Sequence, residues 1–131
     1  MNKPRLRKLA RFLLDHDFSD PEAGFDFSRY LTGEGCGTSA CAIGWCPVVF
    51  PNCWKYGAWE SSRGDIQKYP TLNKYSELKY PEYSSMDFFN IDYDQHKYLF
   101  IPTVGRGIYD NCLSSEATAE QVGNRILEFI K

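Results

Sequence analysis

Apolar residues recur at helical spacing near both ends of the chain and gather into an uncharged run between them. Leu6, Leu9, Ala10, Leu13 and Leu14 share one face of a helix over residues 3–16, and Arg5, Arg7, Lys8 and Arg11 take the other. Phe12 alone breaks that pattern. The cations crowd the N-terminal end, where the helix dipole disfavours each by roughly a few tenths of a kcal/mol. Such a face is normally just solvated, but this placement leans towards a partner. Ser19-Asp-Pro-Glu22 has the form of a capping box with Pro in the first turn. Phe25, Phe27, Tyr30 and Leu31 then anchor the chain to the core. In the last third, Ser84 or Ser85 caps a short turn through Phe88 and Phe89. Asp92 caps a helix over 93–100 that Pro102 stops. Thr118-Ala-Glu-Gln121 opens a helix whose stripe is Val122, Ile126, Leu127 and Ile130.

Between Glu34 and Lys55 there is no charge. A membrane span needs about 20 mainly apolar residues, whereas this run includes Pro47, Pro51, Gly35, Gly37, Gly44, Thr38, Ser39 and Asn52, so a buried element is expected. Thr38 serves as the cap of a helix over roughly 39–46, and Pro47 ends or kinks it, because the residue before proline is biased away from α. After Pro51 the period shortens. Trp54, Tyr56 and Ala58 alternate, Ser61–Gly64 turns, and Gly64–Tyr69 returns as a second strand. Residues 70–83, held by Tyr75, Tyr80 and Tyr83, are expected to form an ordered loop, and Gly105-Arg-Gly107 makes a turn. The pattern predicts a mostly helical α+β single domain, with about five short helices round the buried 38–46 helix and a small β-hairpin.

A chain of 131 residues suffices for one core. A net charge of −2 argues against a general nucleic-acid binder, which is usually basic. The N-terminus runs directly into Lys-Pro-Arg-Leu-Arg-Lys, without the apolar core of a secretory signal. The odd count of five cysteines then fits reduced thiols in a cytoplasm, and the lack of an export or span signal predicts a cytosolic protein with no membrane association.

The candidate chemistry gathers around residues 33–41. Gly33, Gly35 and Gly37 can bring backbone close to a ligand, and the free amides of Ser39, Ala40 and Cys41 would leave the first turn after Thr38. That geometry suits an anion. Glu34 opposes it, so a cation must arrive from Arg29, Lys55, Arg63 or Arg106, and Trp54 or Tyr56 would stack on a base or sugar. The resulting ligand set is Gly35, Gly37, Thr38, Ser39, Ala40, Cys41, Trp54 and Arg63, with a nucleotide-like anion as occupant. The competing reading is a capped core helix entered through a tight turn. As an alternative chemistry, Cys41 in the first turn could be a nucleophile with His96 or His16 as base. Zinc fits poorly: Cys36, Cys41, Cys46 and Cys53 lack tight paired spacing, and Cys41 and Cys46 lie about 140° apart on a helix. Only Cys36 with Cys41, joined by His96 or Cys112, would leave a route to a site. Phosphate loops, dinucleotide loops and serine elbows are absent, and nothing calls for a metal or cofactor.

The segment Cys36-Gly-Thr-Ser-Ala-Cys-Ala-Ile-Gly-Trp45, followed by Pro47-Val-Val-Phe-Pro51, resembles a group of small phage and bacterial proteins with a Cys-Gly-Thr-x-x-Cys-x-x-Gly-aromatic core. The amphipathic Leu6–Leu14 segment, Phe88-Phe89-Asn-Ile91, Asp94–Phe100 and Thr118–Ile130 match the rest of that pattern, and the Cys36–Trp45 core is its specific part. No activity comes with the resemblance. It implies provenance, a phage or mobile-element accessory protein acting in the host cytoplasm. The function expected is non-enzymatic: sequestering or blocking a host component, as anti-defence proteins do, through an anionic small molecule or a host protein. Two other readings stand beside it, a cysteine-dependent enzyme at Cys41 and a protein–protein inhibitor using the basic face of the first helix.

Overall fold

A computed structural model describes residues 1–19, 24–25, 41–60, 64, 66–76, 80–101 and 117–131. The first element, α1 (Lys3–Asp15), starts where Asn2 accepts from the Arg5 amide and Pro4 occupies the first turn. Its apolar stripe is buried as the periodicity requires: Leu6, Leu9, Ala10 and Leu13 are core residues. Phe12 joins an aromatic cluster instead, its ring beside those of His16, Phe18 and Trp45.

The uncharged run behaves differently from expectation. Among the described residues, 41–45 form a turn rather than regular helix, and the helix α2 (Cys46–Val49) begins where one was expected to end. The turn is tightened by Trp45 N–H to the carbonyls of Cys41 and Ala42, and by Cys46 N–H to Ile43. The reason lies in Pro47. Its fixed φ and missing N–H suit the first turn of a helix as well as they stop one. The segment is buried, as its lack of charge demands: Cys41, Ala42, Ile43, Trp45, Cys46 and Val49 all lie in the core.

The hairpin is present and longer than expected. Strand β1 (Trp54–Glu60) pairs antiparallel with β2 (Ile66–Leu72), in a register that sets Trp54 against Leu72 and Tyr56 against Pro70. With two strands among the described residues, each is an edge strand there, a position that tolerates Pro70. Only part of 70–83 is loop. After β2 the chain turns at Asn73 and Lys74, and the helix α3 (Pro81–Phe89) starts at Pro81 instead of after a serine cap. Ser84 and Ser85 are fully buried inside that helix. It ends at Asn90 in the left-handed conformation, where the amides of Asn90 and Ile91 both reach the Met86 carbonyl.

Helix α4 (Tyr93–Phe100) and helix α5 (Ala119–Phe129) open with reciprocal capping boxes at Asp92/Gln95 and Thr118/Gln121, as the sequence predicts. α5 packs along α1, with Val122 and Ile126 in the shared core. Among the described residues the architecture is thus a small mostly helical α+β assembly of five helices and one hairpin about a hydrophobic core. Among the described residues no helix is long and apolar enough to cross a membrane. Of the capped turn expected at Ser19–Glu22 all but Ser19, together with the turn at 105–107 and the anchoring residues Phe27, Tyr30 and Leu31, lie outside the described residues.

Candidate functional site

Of the anion site expected over the Thr38 turn, Gly35, Gly37, Thr38, Ser39, Ala40 and Arg63 lie outside the described residues. Its other members are in the core. Cys41 and Trp54 are each 2% exposed, and the Trp54 ring stands edge-on to Phe88, leaving no face for a base or sugar. Tyr56 is the accessible aromatic here: 38% exposed, with its hydroxyl donating to the Gly44 carbonyl at 2.8 Å. Burial, followed by the nearby Cys46 and Cys41 thiols, pushes the Tyr56 phenol up to about 12, so it remains a donor at neutral pH.

The thiols are equally informative. Cys46 is fully buried, its sulfur 3.6 Å from the Ala42 carbonyl, and burial holds its pKa well above the ordinary thiol range. The nearby Cys41 thiol adds to that rise. Cys53, half-buried, has solvent access. His96 is set against a hydroxyl. Its Nδ1 lies 2.9 Å from Ser85 Oγ inside the core, and burial lowers its pKa to about 4. The exposed His16 packs instead among Phe12, Phe18 and Trp45. Among the described residues no three His, Cys, Asp or Glu side chains gather where a metal could be held, and Cys36 and Cys112 lie outside them.

Two features of the described surface can do chemistry of recognition. The first is the outer face of α1. At 100° per residue, Lys3, Arg7, Arg11 and Lys8 cover an arc opposite the Leu6–Leu9–Leu13 stripe, and all four are exposed. Among the described residues none of them has a carboxylate within ion-pair distance, although Asp15 stands one turn beyond Arg11. Lys8 leans over the Phe50 ring, 5.2 Å from its centroid.

The second is a cleft of about 280 Å³ where the start of α1 meets α3 and the β2–α3 connection. Leu72 and Phe88 supply its apolar floor, and Arg5, Lys74, Asp87, Asn52, Asn73 and Cys53 complete the lining. Arg5 is fixed twice. Its Nη1 donates to the Phe88 carbonyl at 2.9 Å, and its guanidinium carbon lies 4.1 Å from the Phe88 ring centroid. That carbonyl belongs to the last turn of α3, the negative end of the helix dipole, which favours a cation. Asp87 accepts from Lys74 at 2.7 Å and from the Tyr75 hydroxyl at 2.8 Å. The Lys74 hydrogen bond chiefly, with Tyr75 and the charge of Arg5 assisting, holds the Asp87 carboxyl below its usual range. Across the cleft mouth, Asn73 Nδ2 donates to the Asn52 carbonyl at 3.2 Å.

Local sequence patterns could not find this cleft. Arg5 and Phe88 are separated by 83 positions, and the turn residues Asn52 and Asn73 carry no motif. The basic face of α1, in contrast, was visible in its charge pattern. No family model matches the chain, and neither a curated protein nor a solved structure does so.

Proposed function

We propose that this is a small non-enzymatic binding protein, a phage or mobile-element accessory protein of the host cytoplasm, that blocks an acidic host protein through the outer face of α1. The observation that carries this reading is the set of four exposed cations, Lys3, Arg7, Lys8 and Arg11, with no carboxylate within ion-pair distance among the described residues. Lys3–Arg7 and Arg7–Arg11 are like-charge pairs four apart, and Lys8–Arg11 is a pair three apart. Each costs the isolated helix roughly 0.2–0.5 kcal/mol. A fold that carries such strain on one helix gains from an external anion that relieves it.

Charge elsewhere favours a protein over a nucleic acid. α1 holds five cations and one carboxylate, leaving ten cations against sixteen carboxylates in the rest of the chain. A polyphosphate long enough to run past the helix would meet that acidic remainder, whereas a local acidic patch would not.

The test is affinity capture from bacterial lysate with and without nuclease treatment, comparing the native chain with a Lys3→Gln, Arg7→Gln, Arg11→Gln variant, with cross-links mapped on the captured complex. The expected outcome is an acidic protein cross-linked through Lys8 or Lys3, released by 0.5 M salt and at least about tenfold depleted with the variant. Equal capture by both proteins, cross-links elsewhere, or loss of the species on nuclease treatment would refute the assignment.

A further inference from the structure

We infer that the cleft beside Arg5 is a binding site for a small apolar monocarboxylate, independent of the outer face of α1. Arg5 lies about 160° round the axis from Arg7, and Lys8, about 60° from Arg5, leans over the Phe50 ring and does not line the cleft.

The cleft has the composition of a small-molecule site: an apolar floor with a few placed polar groups. Its volume of about 280 Å³ lies just below the usual range, which opens near ~300 Å³. A nucleotide is therefore too large, and a ligand the size of a short-chain or single-ring acid fits.

Charge selects the same class. Arg5 and Lys74 bring two positive charges and ionised Asp87 brings one negative. Lys74 and Tyr75 both engage Asp87 at Oδ2, so the lysine is largely committed to the aspartate. The one net positive charge resides on Arg5, which matches a monoanion better than a phosphate ester.

Arg5 is also prepared for the task. Its bond to the Phe88 carbonyl uses one of five guanidinium N–H groups, and stacking on the Phe88 ring fixes the plane of the fork. A guanidinium held in this way loses little freedom when it takes a carboxylate through two parallel hydrogen bonds. The apolar part of the ligand rests against Leu72 and Phe88, near the amides of Asn52 and Asn73. Cys53 lines the same cleft and supplies a reporter.

The experiment titrates butyrate, phenylacetate and indole-3-acetate, with benzyl alcohol as neutral control, against the isotope-labelled full chain. Amide shifts at residues 52, 53 and 73 are followed, together with the rate of Cys53 alkylation by a neutral maleimide. Expected are saturable shifts for at least one acid and slowed alkylation of Cys53. Affinity should fall at least tenfold in Arg5→Gln, fall less in Arg5→Lys, and be absent for benzyl alcohol. Lys74→Gln, which leaves Arg5 in place, should change it less than Arg5→Gln does. The inference is overturned if none of the three acids gives saturable shifts, or if benzyl alcohol binds as well as the acids. It is also overturned if a folded Arg5→Gln protein, judged by its dispersed spectrum, binds like the native chain.

Discussion

His96 sits with no exposed surface, its Nδ1 against Ser85 Oγ and its Nε2 without a partner among the described residues. A buried donor left unpaired costs more than a buried lone pair, so the described contacts favour the tautomer in which Nδ1 carries the proton and donates to Ser85. Nitrogen chemical shifts of the ring would read that tautomer directly. Its pKa is lowered to about 4 from 6.5 by burial, against a small opposing pull from Glu82. The folded state therefore binds fewer protons than the unfolded chain between those values. Its stabilising effect is complete above pH 6.5 and is lost as pH falls towards 4. At about 1.4 kcal/mol per unit, the loss reaches roughly 2 kcal/mol by pH 5 and on the order of 3 kcal/mol near pH 4. Urea unfolding at pH 7.5 and pH 5 should show this difference, and His96→Phe should remove most of it. A native-state titration near pH 6.5 for this imidazole would contradict the argument.

Helices α1 and α5 approach closely because α5 carries Gly123 where they meet. A Cβ added there would lie 3.0 Å from Leu14 Cγ and 3.1 Å from the Ala10 carbonyl oxygen. In an exposed helix Gly→Ala gains about 1 kcal/mol of propensity. Here the Leu14 contact can relax by rotamer change, but the Ala10 carbonyl is helix backbone and cannot. Gly123→Ala is expected to lower stability by about 1 kcal/mol, and Gly123→Val by about 3 kcal/mol as the helices are forced apart. Urea midpoints give both values, and a stabilised Gly123→Ala protein would show that α1 can shift. The glycine is also an instance of what sequence alone withholds. Its neighbours in α1 are more than a hundred positions away, so nothing beside it in the chain explains it. The same holds for Arg5, whose bond to Phe88 exists only once α3 is placed. Features set by a few adjacent residues were legible: the capping boxes at Asp92 and Thr118, the stripe of α1, and the burial of the uncharged run. Proline was ambiguous for a physical reason, since Pro47 read as a stop and Pro81 fell within the expected 70–83 loop, yet each sits in the first turn of a helix. The anion site over Thr38 was argued from a helix that begins at that residue. The regular helix α2 begins at Cys46, and Trp54 is a core residue.

Taken over the whole chain, charge is distributed unevenly, with a basic helix on an acidic remainder. Two arrangements would make that stable. In one, the cations of α1 are matched by carboxylates of this chain. In the other, they are left repelling one another for a partner to satisfy. Stability measurements separate the two without knowing the partner. Replacing Arg7 and Arg11 by glutamine changes helix propensity little, because Arg and Gln rank closely. If the face is unmatched, the double variant removes three like-charge pairs and is expected to gain about 0.5–1 kcal/mol at 20 mM NaCl. Salt should abolish most of that gain by 1 M, where the Debye length falls to about 3 Å and the native repulsion is already screened. If the face is matched internally, the same substitutions should cost stability at low salt. Urea midpoints of both proteins at the two salt concentrations decide the sign. A gain that fades with salt, accompanied by loss of the captured acidic protein, is the expected result, since residues kept for recognition commonly lower the stability of the fold that carries them.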